Sequence, residues 1–169
     1  MKVNPLNRYS LVVLWFVVTV CALWFISAQR AIEFDPDALL QQPTWTEKAL
    51  AALPPLADGP TLYLVSDQHC KCNKVGQEHR TKVIGDAKQA NIGVVHVALS
   101  DSLSAVIPAV PAALLLDADR EVIYAGPLSV GLACAISDGI IDTVIANFNQ
   151  GFASNLRVSD TRGCYCRSQ

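Results

Sequence analysis

From Leu11 to Ala28 the chain carries no charged residue: LVVLWFVVTVCALWFISA. At about 1.5 Å of helical rise per residue, a run of 18 is just long enough to cross the core of a bilayer. Tyr9 stands at its start, where an aromatic ring suits the interface, and Trp15 and Trp24 lie inside it. Lys2, Arg8 and the amino terminus precede the run; Arg30, Glu33, Asp35 and Asp37 follow it. The positive-inside rule therefore expects residues 1–10 in the cytoplasm, a single span over 11–28, and everything after it outside, in a bacterium the periplasm. Ala28 suits the last position of a signal-peptidase site, but Ile26 is a poor residue two places earlier, so the expectation is an uncleaved signal-anchor.

The remainder of the 169 residues is room for about one domain. All 15 acidic residues but only 10 of the 13 basic ones lie beyond residue 30, a net charge of about −5 that argues against nucleic acid or an anionic membrane surface as partner. Five of the six cysteines lie in this exported part, where disulfides persist, while Cys21 sits in the apolar run as a small hydrophobe.

Residues 29–59 read as a stalk, punctuated by Pro36, Pro43, Pro54 and Pro55, with a short helix over about Thr46–Leu53 capped by Thr44 or Thr46. From residue 60 the pattern changes. Thr61–Val65 is a compact apolar strand; Asn73 to about Ala90 has helical spacing with Val75, Val83, Ile84 and Ala87 inward; Val94–Leu99 is a second buried strand. After a polar loop, Ala112–Leu116 and Val122–Ala125 flank the turn Asp117-Ala118-Asp119-Arg120, and Gly126-Pro127 ends the second of them. A last helix is expected over about Ala133–Phe148, and residues 149–169 read as an irregular tail. A parallel βαβ unit followed by a hairpin and a covering helix is a small three-layer α/β domain, with a central mixed sheet of about four strands over residues 60–148.

Two cysteine pairs carry the chemistry: Cys70-Lys71-Cys72 and, in the tail, Cys164-Tyr165-Cys166. The first stands where a strand hands over to a helix, a place whose unpaired N–H groups and helix dipole favour thiolate. On that reading Cys70, reachable from solvent, attacks a substrate disulfide, and Cys72 resolves the mixed disulfide. The bland reading is a structural bridge from this pair to Cys164 or Cys166. The tail pair reads as a staple, as a shuttle dithiol, or, with the first pair, as four thiolates for zinc or copper. Cys134 reads as a buried thiol or an odd one seeking a partner. His69 adjoins Cys70 and suits either stabilising the thiolate or an exposed role; His79 reads as a solvated helix residue and His96 as a core histidine of a central strand. Asp67 reads as a proton carrier or a loop residue. There is no Gly-rich phosphate loop, no H-E-x-x-H and no G-x-S-x-G, so hydrolase and nucleotide-binding classes have no support.

The element order, with Val65-Ser66-Asp67-Gln68-His69-Cys70 at the end of the first strand and Ala109-Val110-Pro111 opening Ala112–Leu116, resembles the thioredoxin-like superfamily over residues 60–148. The run from Val110 to Gly126 resembles that fold throughout. The resemblance implies a cis peptide before Pro111, next to the active cysteine, with Val110 and Pro111 docking a substrate backbone. It departs at one point: the usual second cysteine position holds Asn73, and Cys72 comes one residue early. The expectation is a membrane-anchored, extracytoplasmic thiol–disulfide exchange protein, an oxidoreductase or isomerase acting on protein substrates without an organic cofactor. The rival classes are copper or zinc delivery through Cys70, Cys72 and His69, and a non-catalytic binding domain with its cysteines locked in bridges. Disulfide connectivity, substrate and direction of electron flow stay open.

Overall fold

A computed structural model describes residues 5–55, 59–131 and 139–168. In chain order its elements are α1 (Pro5–Arg30), β1 (Ile32–Glu33), a 3-10 turn (Leu39–Gln41), α2 (Trp45–Ala52), β2 (Thr61–Ser66), α3 (Cys72–Val75), α4 (Gln77–Gln89) and β3 (Gly93–Ala98). There follow α5 (Asp101–Ser104), β4 (Ala109–Val110), β5 (Ala112–Leu116), β6 (Val122–Pro127), α6 (Ile140–Asn149), β7 (Leu156–Arg157), β8 (Arg162–Gly163) and β9 (Cys166–Arg167). The apolar run lies in α1, whose stretch Tyr9–Ile26 has a mean hydropathy of 2.3 and buries none of its residues. This helix is long and apolar enough to be a membrane span or a signal anchor.

The main sheet is mixed and has five strands, in the order β3-β2-β5-β6-β7. β2 and β3 run parallel, as do β6 and β7, while β5 is antiparallel to both its neighbours. The fifth strand comes from the segment expected to be irregular. Two residues with Leu156 exposed give no alternation to read; the pairing of Tyr124 with Leu156, extended by Val158 N–H to Ala125 O at 2.8 Å, makes the strand. Gly126 admits it, because a Cβ there would meet Val158 Cβ and the Tyr124 hydroxyl at 2.9 Å.

Side chains alternate across the sheet, so each central strand feeds two cores. Leu62, Leu64, Ala113 and Leu115 face α4 and α6, meeting Val83, Ala87, Ile141, Val144 and Ile145. Tyr63, Val65, Ala112, Leu114 and Leu116 face the other way, onto Phe34, Leu40, Trp45, Ala49 and Leu53. Those last five come from the segment expected to be a stalk. The expected short helix is there as α2, and it is packed: Trp45 is buried with its Nε1–H on Val106 O at 2.7 Å, and Arg157 stacks over its ring at 5.2 Å. The prolines that suggested a stalk shape a wrapping segment instead.

Two histidine expectations are corrected. β3 is an edge strand, so His96 is exposed rather than a core residue. His79 is buried, because it stands at helical spacing with Val83 and Ala87 on the face of α4 that packs against α6, where it meets Asp142. Of the expected last helix, the described part is α6; residues 133–138, and with them Cys134, lie outside the described residues.

Candidate functional site

Antiparallel pairing of β2 with β5, with Val65 opposite Ala112, brings the end of one strand beside the start of the other. The Cys70 loop and the Val110-Pro111 loop therefore share one end of the sheet. The Val110-Pro111 peptide is cis, as the resemblance implies, and the Cys70 sulfur lies 3.6 Å from Val110 O. The loop between β2 and Cys70 is held by Asp67. Its carboxylate accepts from His69 N–H at 2.9 Å, and its carbonyl accepts from Cys70 N–H at 3.1 Å and from the Asn73 side-chain amide. Arg80 in turn donates to Asn73 Oδ1 at 3.0 Å. Asn73, where a thioredoxin-like pair would have its second cysteine, is thus a loop clamp, and Asp67 acts as a loop residue.

The four cysteines of the two C-x-C pairs are cross-bonded. Cys70 is bonded to Cys166 and Cys72 to Cys164, with Cα separations of 5.8 and 5.6 Å. The bridge inside Cys70-Lys71-Cys72 is not formed. Even so, the sulfurs of Cys70, Cys72 and Cys166 all lie within 4.8 Å of one another. The tail is positioned by its backbone as well. β9 pairs antiparallel with β4, Ala109 opposite Arg167 and Val110 opposite Cys166, and the Ser168 hydroxyl donates to Pro108 O at 3.1 Å. The strand edge expected to receive a substrate backbone is occupied by this chain's own C-terminal segment.

The burial of the first pair corrects one expectation. Cys70 is 4% exposed and Cys72 7%, not reachable at a lip: both lie in the core cluster, each bonded to a tail cysteine that packs against it. Cys164 and Cys166 are half-buried, so an incoming nucleophile meets the tail residues first. Tyr165 between them is buried; its ring meets Phe34 edge-on at 5.2 Å and its hydroxyl donates to Ser129 O at 2.9 Å. Gly163 makes room for that ring: a Cβ there would meet Tyr165 at 2.8 Å and Gly131 O at 2.9 Å. β8 pairs with β1, so the tail is gripped on its other side by the segment after α1.

His69 is exposed and stands outside the three-sulfur group. Those sulfurs are all in disulfides, so in this oxidised form none offers a thiolate to copper or zinc.

The sequence reading missed a buried polar chain beneath the tail. His79 lies 2.7 Å from Ser129 Oγ and 2.6 Å from Asp142 Oδ2, which also accepts from Gly139 N–H at 2.6 Å, while Lys82 Nζ reaches Asp142 Oδ1 at 2.7 Å. An ionised carboxylate only accepts, so the ring's Nε2–H donates to Asp142. Burial by itself would raise the Asp142 carboxyl, but hydrogen bonds from Lys82, His79 and Gly139 and the His79 charge outweigh it and hold the group below the usual carboxylate range. Residue spacing gave one sign of this chain, since His79 stands four and eight residues before the inward Val83 and Ala87; Gly139, where a Cβ would strike the His79 ring at 2.8 Å, is a second local mark.

Stapling accounts for one bridge better than for two. A disulfide closing a loop of about 100 residues stabilises by ~4.7 kcal/mol in the chain-entropy account. With Cys70–Cys166 closed, Cys72–Cys164 closes a ring of only about six residues, worth ~2 kcal/mol on the same scale.

A family model described as "Domain of unknown function (DUF6436)" matches residues 42–168, a span that holds both cysteine pairs and the tail strand. No curated protein and no solved structure matches the chain.

Proposed function

The chain belongs to the DUF6436 family, and from that premise we propose that it is a membrane-anchored, extracytoplasmic thiol–disulfide exchange protein of thioredoxin-like architecture, acting on protein substrates. The observation that carries the reading is the Cys70 sulfur 3.6 Å from Val110 O, on a strand edge that already holds an extended, disulfide-bonded segment. A strand edge beside a reactive sulfur is what a passing cysteine-containing chain needs: backbone pairing fixes register and the sulfur makes the bond. In reduced form the Cys70 thiolate attacks a partner disulfide, forming Cys70–S–S–partner and expelling the partner's other sulfur as thiolate. Cys72 then attacks Cys70, closing Cys70–Cys72 and releasing the reduced partner segment; two electrons pass to the partner. The charge asymmetry about α1 supports an N-terminal anchor in the cytoplasmic membrane with the cysteines outside, where oxidising conditions let such a centre cycle.

The second reading, a binding domain whose cysteines are only staples, is favoured by the burial of Cys70 and Cys72. Copper or zinc delivery would draw on the same sulfurs once both bridges are reduced. Turnover separates the classes: Cys70→Ser is expected to abolish insulin reduction and scrambled-ribonuclease reactivation by the full chain. Undiminished turnover in that variant removes Cys70 from the mechanism, and metal retained stoichiometrically by the reduced wild type without turnover favours delivery.

A further inference from the structure

The exchange centre has no free sulfur and no free strand edge among the described residues, because one segment blocks both. Residues 164–168 hold the β4 edge, pack against the core cluster that includes Cys70, and supply the sulfur bonded to it. Their geometry is that of an extended substrate caught as a mixed disulfide. Cys72 stands within 4.8 Å of both sulfurs of the Cys70–Cys166 bond while bonded elsewhere, to half-buried Cys164. Breaking the Cys72–Cys164 bond therefore releases a thiol beside the bond that holds the tail.

We propose, resting on the exchange reading, that the tail is a tethered occupant of the substrate site, and that a thiolate swap among the four sulfurs releases it and opens the Ala109–Val110 edge to a partner strand. The steps balance. An external thiolate attacks the Cys164 sulfur, forming an external–S–S–Cys164 bond and expelling the Cys72 thiolate. Cys72 attacks the Cys70 sulfur, forming Cys70–Cys72 and expelling the Cys166 thiolate. Cys166 attacks Cys164, forming Cys164–Cys166 and returning the external thiolate. A monothiol thus catalyses the rearrangement with no net electron transfer. A dithiol instead resolves its own mixed disulfide at Cys164, is oxidised, and leaves two electrons on Cys164 and Cys166. With Cys166 detached, what still holds residues 164–168 is the short β4–β9 pairing, the Ser168 hydroxyl on Pro108 O, the Cys164 N–H on Gly131 O, and Tyr165 with its ring on Phe34 and its hydroxyl on Ser129 O, while β8 stays paired with β1.

The tail also describes the partner that fits its place. Tyr165 precedes Cys166 and fills the slot between Phe34 and Ser129 O, with a hydroxyl to donate. The matching partner is an extended protein segment running antiparallel to Val110, with a tyrosine immediately before its cysteine.

The test uses the full chain. Cys164→Ser leaves Cys72 free beside the Cys70–Cys166 bond. After incubation at neutral pH, alkylation and peptide mapping are expected to find Cys70–Cys72 with Cys166 alkylated in at least half the molecules. Cys70–Cys166 intact with Cys72 alkylated overturns the proposal. Wild type, which carries no folding risk, is tested by hydrogen exchange with catalytic glutathione: protection at 109–110 and 164–168 is expected to fall at least tenfold, and not to fall in Cys72→Ser. Unchanged protection in wild type, or an equal fall in Cys72→Ser, overturns it. The wild type's insulin turnover keeps the two claims apart: turnover without rearrangement sinks the tethered occupant alone, and no turnover by the rearranged, tail-released protein sinks the exchange reading.

Discussion

The two faces of the sheet are built in different ways. The face under α4 and α6 is made by segments close to the strands in the chain, whose Val83, Ala87, Ile141, Val144 and Ile145 recur at helical spacing. The opposite face draws on the two ends of the domain, Phe34, Leu40 and Trp45 from before β2 and Tyr165 with the tail cysteines from after β7, together with Leu103, Val106 and Ile107 from the segment around α5. Period and apolarity suffice for the first face. The second depends on pairings across about a hundred residues, held by two disulfides, the β1–β8 and β4–β9 contacts, and Arg157, which donates to Leu40 O at 3.1 Å and Thr46 Oγ1 at 2.8 Å. One face is consolidated locally, and the other is fastened shut at the site where the sulfurs meet.

If that contrast is right, removing the fasteners should damage one face far more than the other. Replacing both Cys70 and Cys72 by serine should cost ~5 kcal/mol or more, whereas Cys72→Ser should cost only ~2 kcal/mol, since the remaining bridge still closes the long loop. Urea unfolding of the three proteins measures this; equal losses from the single and double variants would mean the tail is held without its sulfurs. Trp45→Ala strikes the same face from the other end and should cost ~3–5 kcal/mol, with hydrogen exchange rising in α2 and the tail before α4 and α6. Uniform loss of protection over both faces would erase the distinction.

Asp142→Asn probes the locally built face and should cost ~1–3 kcal/mol at pH 7. Asp142 is held below its ordinary value in the folded protein, so its contribution is full above the unfolded carboxylate value of about 3.9 and is lost as pH falls through the lower folded value. The gap between wild type and variant should therefore shrink toward pH 3; a gap that stays constant contradicts the ionised assignment. The smallest effect belongs to His96→Ala, on the exposed edge of β3, within about 0.5 kcal/mol; a loss of several times that would restore it to a core.

The same contrast explains what could be read from the chain alone. The apolar α1 and the β2–β5–β6 core with its Asp117–Arg120 turn follow from local patterns: a charge-free run, short apolar runs and turn chemistry; Cys70 beside Val110-Pro111 follows from the resemblance to the thioredoxin-like superfamily. The wrapping of residues 32–53 did not, because prolines break the periodicity by which Trp45 and Leu40 would have declared a core face. Neither did β7, β8 and β9, each two residues long with no alternation to display. The crossed pairing of Cys70 with Cys166 and Cys72 with Cys164 is set by the tail's register against Val110, a tertiary fact. His79 stands at helical spacing with Val83 and Ala87, which marks its burial, but its polar partners, Ser129 and Asp142, lie 50 and 63 residues away along the chain.

The central claim is that the sulfurs at the Val110-Pro111 loop exchange rather than merely fasten. Its most direct test is a redox titration of the full-length protein in defined dithiol buffers, with each bridge followed by alkylation and mass. Structural disulfides of exported proteins have reduction potentials below about −300 mV, whereas exchange centres lie between about −270 and −120 mV. The account predicts that at least one of the two bridges opens within that upper range; both holding to below about −300 mV would contradict it.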